Sequence, residues 1–310
     1  MAYTKKQYKQ RISLGQNGNA LVMLIAISLI MFVLFGFLKM VWYFRYEDKQ
    51  LALSLFNKNV LNWFTLPADL NQLAHQPWSI ITFMFLQVGV WPVLTNMLWL
   101  WCFGFIMQEL TGNKKIIPVF IYGSLAGAIA FILAYNLSPS LQALVPFAAT
   151  MGASAGVMAV AVSTTMVAPG YRIFPMIYGG FSLWILTLIY IVIDLSVVFN
   201  DTGNFMAHLA GAFAGYLFMF FLRKGYDGSE WMNKFFDWVN NLFNPDKPRK
   251  GKSVKDMLHY KSSKPPYKKT PNITQQRIDD ILDKINQKGY NFLTDEEKEL
   301  LRKASQEDLK

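Results

Sequence analysis

Ser154 lies in the string Gly152-Ala153-Ser154-Ala155-Gly156, and His208 is the one histidine of three that falls inside a long apolar run. A serine hydroxyl becomes a nucleophile when a neighbouring imidazole removes its proton. An ionisable side chain within a membrane span is costly enough that function is its default reading. Asn96, in another apolar run, carries an amide able to donate to an oxyanion. Serine, histidine and amide are together the parts that acyl transfer needs. The GxSxG string by itself is weak. In soluble hydrolases it marks a sharp strand-to-helix turn, whereas here its flanks read as a continuous membrane helix, in which small residues serve close packing.

The elements that must position these residues are apolar runs of span length. A hydrocarbon core of about 30 Å needs about 20 apolar helical residues. Six runs meet that need: Ala20–Tyr43, Val88–Met107, Ile116–Tyr135, Ala148–Ala168, Phe181–Phe199 and Asn204–Leu222. The expected fold is an all-α membrane protein, a six-transmembrane-helix bundle with a small cytoplasmic helical tail. The fourth and sixth runs contain Ser, Thr, Gly and His, which suits helices facing other helices, so they should form the centre. With helix starts at those boundaries, a rise of about 1.5 Å per residue puts Ser154 about 9 Å, His208 about 6 Å and Asn96 about 12 Å below one membrane face. Asp194, in the outer part of the fifth run, could orient His208, although a local bond to its own helix end or loop is the first expectation.

Lys and Arg occur in the N-terminal arm, at Lys114, Lys115 and Arg172, and densely after Arg223. This bias puts those segments and both termini in the cytoplasm. The first run is too long for a signal core and no small-x-small site follows it, so it is expected to stay as a span. The single cysteine, Cys102, excludes an intrachain disulfide and a cysteine-cluster metal site, and neither metal nor cofactor is expected. No nucleic-acid partner is expected either.

The long Arg45–Gln87 connection holds Trp63, Phe64, Trp78, Phe83 and Phe85. Such a loop lies partly in the interface, where an aromatic belt and a substrate role remain equally open. In the tail, Trp231, Phe235, Trp238 and Leu242 have helical spacing and read as a helix lying on the inner membrane surface. A Lys- and Pro-rich linker, Pro245–Pro271, follows. Ile278, Ile281, Leu282 and Ile285 then mark a helix stopped by Gly289, and Thr294 with Glu297 has capping-box spacing before a second. The organisation is therefore a cytoplasmic arm 1–19, a membrane domain 20–222, an amphipathic helix and basic linker 223–271, and a small helical hairpin 272–310.

Gly152–Ser154, the string Ala207-His208-Leu209-Ala210-Gly211-Ala212-Phe213-Ala214-Gly215, Asn96 in the second run and the Gly123/Gly127 pair resemble the rhomboid intramembrane serine proteases over about Ala20 to Leu222. The AHxxGxxxG string discriminates best, because it puts the base and two glycines on one helix stripe. The resemblance implies a Ser154–His208 dyad, with Asn96 and the Ser154 backbone N–H as oxyanion donors and Gly152, Gly211 and Gly215 as close-packing positions. It also implies a bacterial six-span type with a cytoplasmic helical extension, located in the inner membrane. Two departures stand out. The family's usual histidine four residues before Asn96 is Pro92, which offers no side-chain donor, and a Trp-Arg pair of the outer loop is Trp78-Ser79.

The function this reading favours is an intramembrane endopeptidase. It would cut transmembrane segments of other proteins near the outer face through an acyl-enzyme, with membrane lipids as its other partners. A non-proteolytic rhomboid-like protein that binds membrane helices is the second reading, argued by Pro92. A transporter would require repeat symmetry and broken helices at mid-membrane, which the sequence lacks.

Overall fold

In a computed structural model, residues 19–173, 180–242 and 275–307 are described. The N-terminal arm and the basic linker of the sequence reading lie outside the described residues. The chain divides into two units, 1–244 and 245–310.

The first unit opens with α1 (Ala20–Arg45), whose first N–H groups are capped by the Asn19 side chain. The long connection that follows is ordered. It holds α2 (Lys49–Asn59), a two-residue strand β1 (Leu66–Pro67), α3 (Leu70–His75) and α4 (Ser79–Thr82). Then come α5 (Val90–Thr111), α6 (Ile116–Leu137), β2 (Ala149–Thr150) and α7 (Ser154–Val167). After the short pair β3 (Arg172–Ile173) and β4 (Phe181–Ser182) follow α8 (Leu183–Val198), α9 (Thr202–Arg223) and α10 (Glu230–Leu242).

Six apolar helices thus occupy the six runs, and the unit is an all-α membrane bundle. Four of them, α1, α5, α6 with its preceding turn, and α9, are long and apolar enough to cross a membrane. The others are shorter than the sequence reading expected: α7 has 14 residues and α8 has 16, or about 21 and 24 Å at the helical rise. The fourth run begins late because its first residues are not helical. Ala149 and Thr150 pair antiparallel with Pro67 and Leu66, and Ala68 N–H donates to the Ala148 carbonyl at 2.9 Å.

Close approach, made possible by glycine, sets the centre of the bundle. A Cβ on Gly211 would sit 2.3 Å from the Ala155 carbonyl oxygen, and one on Gly215 2.3 Å from that of Ala159. Between α6 and α7, a Cβ on Gly123 would meet Ala159 Cβ at 2.2 Å, and one on Gly127 would meet both Ala155 Cβ at 2.7 Å and the Ala207 carbonyl oxygen of α9 at 3.1 Å. Helices α6, α7 and α9 are therefore pressed together as a group of three, each against the other two, as small-residue packing in membranes allows. Val157 to Ala161 are fully buried as a result. Thr164 Oγ1 adds a hydrogen bond to the Phe103 carbonyl of α5 at 3.2 Å, and Ser163 Oγ one to the Gly215 carbonyl at 2.9 Å.

The aromatic connection has its own apolar cluster with α1, formed by Phe35, Phe56, Leu61 and Leu86. Trp63 and Trp78 stack with centroids 6.0 Å apart, and Trp78 Nε1 donates to the Trp63 carbonyl at 2.7 Å. At the far end of the bundle, α10 is pinned to α6. Lys115 pairs with Asp227, Tyr122 OH donates to the Gly228 carbonyl at 2.8 Å, and Trp231 Nε1 donates to Tyr122 OH at 2.5 Å. Partial burial works against the Asp227 carboxylate, but bonds from Lys115 and Ser229 outweigh it and hold its pKa below the usual value. Met232 is buried, while Trp231, Phe235 and Trp238 form an exposed stripe.

The second unit is a hairpin of α11 (Gln275–Lys288) and α12 (Asp295–Glu307) around Ile281, Leu293 and Leu300. Gly289, at φ +88°, ends α11. Thr294 and Glu297 exchange the two bonds of a capping box, and Lys284 pairs with Glu297 at 2.8 Å.

Candidate active site

Ser154 is the first residue of α7, not a residue six positions inside a helix as the sequence reading had it. The chain reaches it by a strand and a turn: β2, then Gly152 at φ +133°. The strand-to-helix presentation of GxSxG that was expected to be absent is therefore present in miniature. Gly152 serves this turn and not helix packing, since a Cβ there would meet only Ser154 Oγ, at 3.8 Å. The φ is what excludes a side chain. Its N–H is fixed by the Phe83 carbonyl at 2.9 Å, so the aromatic connection holds the serine turn. At the start of α7 the N–H groups of Ser154, Ala155 and Gly156 precede the first intrahelical bond, which Val157 N–H makes to Ala153. These donors, which have no partner among the described residues, lie with the positive end of the helix dipole beside the serine.

His208, on the seventh position of α9, is buried. Its Nε2 is 2.7 Å from Ser154 Oγ. The glycine stripe below it brings α9 close enough to α7 for this contact. A polar relay sets the register at the top: Asp201 caps α9 through Asn204 N–H at 3.1 Å, and Asn204 Oδ1 accepts from Thr150 Oγ1 at 2.5 Å. The strand before the serine and the helix of the histidine are thereby tied together.

The other ring nitrogen, Nδ1, is 2.5 Å from Asp194 Oδ2. This corrects the expectation of a local bond for Asp194. The 199–201 connection between α8 and α9 is short, so the end of α8 and the start of α9 stay close together. Asp194 lies four residues before the end of α8 and His208 six after the start of α9, so both reach one level.

Asn96 is buried on α5, but its Nδ2 donates to Gln87 Oε1 at 3.0 Å. Among the described residues it makes no hydrogen bond to Ser154. From the Thr164–Phe103 bond, ten residues of α7 lead up to Ser154 and seven of α5 up to Asn96, which puts the amide about one helical turn deeper. Gln87 escaped the sequence reading, although a lone amide in the apolar stretch after Phe83 was its signal. Its Nε2 is buried without a partner among the described residues. Pro92 sits at the third position of α5, in the first turn where a missing N–H costs nothing. Among the described residues no His, Cys, Asp and Glu side chains gather as a metal site.

The fold and site define an integral membrane helix bundle with a hydrogen-bonded serine–histidine pair at one end. Residues 74–225 match the family model described as Rhomboid domain. The matched part, which holds Ser154, Asp194 and His208, belongs to the rhomboid family, a family of intramembrane serine proteases. Residues 266–307 match a family of unknown function (DUF6576). No curated protein matches the chain.

Proposed function

We propose that the protein is an intramembrane endopeptidase that cuts transmembrane segments of other membrane proteins near their outer ends, with Ser154 as nucleophile and His208 as general base. The observation that carries this reading is the 2.7 Å contact between Ser154 Oγ and His208 Nε2. As Oγ attacks the scissile carbonyl carbon, its proton passes to Nε2 and the carbonyl oxygen gains the negative charge. The Ser154 N–H at the start of α7 faces that charge, and the second N–H of the Asn96 amide is the other candidate donor. Collapse of the tetrahedral intermediate breaks the C–N bond, and Nε2 returns the proton to the leaving nitrogen. Water then attacks the acyl-enzyme with His208 again as base. A substrate helix must first unwind locally, because its carbonyls are otherwise held in intrahelical bonds.

In this reading the serine end faces outward and the basic end, with Lys114, Lys115, Arg223 and Lys224, faces the cytoplasm. Both termini are then cytoplasmic and the membrane is a bacterial inner membrane. Lipid is the second partner class: the exposed Trp231, Phe235 and Trp238 stripe of α10 suits the headgroup boundary of that leaflet.

The test is cleavage of a panel of single-span substrates in liposomes by the native chain, Ser154→Ala and His208→Ala. Loss of cleavage in both folded variants is the expected result. A native chain that binds the helices and cuts none would favour the non-proteolytic reading, whose supporting observations are Pro92 and the engagement of Asn96 with Gln87.

A further inference from the structure

Two charged or ionisable side chains meet beneath Ser154, although only one is needed for a dyad. Asp194 and His208 have side chains 17% and 7% exposed, and the carboxylate accepts at Nδ1 over 2.5 Å. A carboxylate in the membrane interior is costly and is retained where it has a partner and a task. Here it meets the ring nitrogen opposite the one that contacts the nucleophile. An ionised carboxylate only accepts, so the bond fixes the proton on Nδ1 and leaves the lone pair on Nε2. That is the tautomer a general base requires.

We infer that Asp194 is a positioning residue that makes the catalytic unit a Ser154–His208–Asp194 triad rather than a dyad. This rests on the hydrolase reading above. During acylation the serine proton moves to Nε2, the Nδ1 proton stays where it is, and Asp194 remains ionised. The imidazolium that forms then lies against a negative charge in a site of low dielectric, which lowers the barrier. Three helices share the duty: α7 supplies the nucleophile, α9 the base, and α8 the group that orients it. The closest competing role for Asp194 is glue between α8 and α9, which interhelical hydrogen bonds in membranes also provide.

Kinetics of purified Asp194→Asn and Asp194→Glu in liposomes separate the two. The triad predicts that Asp194→Asn lowers kcat about 10²- to 10⁴-fold with KM and substrate-helix binding retained, and that Asp194→Glu restores part of the rate. Unchanged kcat in Asp194→Asn overturns it. So does a loss of rate that follows a fall in thermal stability and is not rescued by Glu. If Asp194→Asn does not fold, proton NMR of the native chain decides. A far-downfield Nδ1 proton that vanishes in His208→Ala supports the orienting bond, and its absence overturns it. A native chain that cuts no substrate would fail the hydrolase reading itself, while the NMR signal would still report the bond.

Discussion

The two halves of the site are built to different degrees. On the acid–base side, α7, α8 and α9 bring serine, histidine and aspartate into one chain of hydrogen bonds, 2.7 and 2.5 Å long. On the anion-binding side, the Asn96 amide is bonded to Gln87 at 3.0 Å, Gln87 keeps an unpartnered buried donor, and Pro92 offers nothing. The cause lies in the helix contacts. Gly211 and Gly215 let α9 touch the backbone of α7, whereas α5 meets α7 through larger side chains and the Thr164–Phe103 bond. In the proposed mechanism, proton transfer would thus be assembled before substrate arrives, and oxyanion stabilisation would rest first on the N–H groups at the start of α7. Catalytic bonds that are loose in a free enzyme commonly tighten only on the substrate.

The largest effect is expected from Gly211→Leu, which must displace α9 from the Ala155 carbonyl. It should abolish cleavage together with labelling of Ser154 by a fluorophosphonate, and lower thermal stability by an overpacking cost of about 1–3 kcal/mol or more. Retained labelling would mean that the glycine contact does not set the Ser154–His208 distance. Next, Asn96→Ala should lower kcat about 10²- to 10³-fold if the amide turns to the oxyanion, with labelling of Ser154 slowed. A change below about twofold would leave the helix start as the whole oxyanion site. Gln87→Leu keeps the volume but frees Asn96. A loss of about tenfold in kcat, the equivalent of one modest hydrogen bond, is expected without a fall in thermal stability, since an unpaired buried donor goes too.

The smallest effect concerns the hairpin and serves as a control on the other three. Bonds from Lys284 and from the Thr294 backbone lower the Glu297 pKa, so its contribution is present above the ordinary carboxylate range and is lost as pH falls through the lowered value. Hydrogen exchange across 275–307 should accelerate on acidification below that range and in Glu297→Gln, with cleavage by Glu297→Gln unchanged at neutral pH. Slower cleavage by that variant would connect the hairpin to the catalytic unit.

Much of this was legible in the residues themselves. The apolar runs located all six bundle helices, and the AHxxGxxxG string put the base and the contact glycines on one stripe, because helical periodicity is local and reads directly from spacing. Ser154 and His208 could be named from residue type, an ionisable group inside a span and a serine in a GxSxG string, and from the family resemblance. Their depths could not, because hydropathy does not register where a run stops being helical. Ala148 to Ala153 are apolar enough to pass for helix, and only pairing of β2 with β1, a segment more than 80 residues earlier, turns them into a strand and a turn. That long-range pairing makes Ser154 a helix start and converts Gly152 from a packing residue to a hinge of positive φ. The partners of the polar side chains were likewise decided by tertiary structure. Asp194 faces His208 because a short connection keeps the end of α8 beside the start of α9, and Asn96 faces Gln87 because the aromatic connection ends against the start of α5. Residue types and spacing determined the chemistry available to the chain; the packing of helix on helix determined which groups share a hydrogen bond.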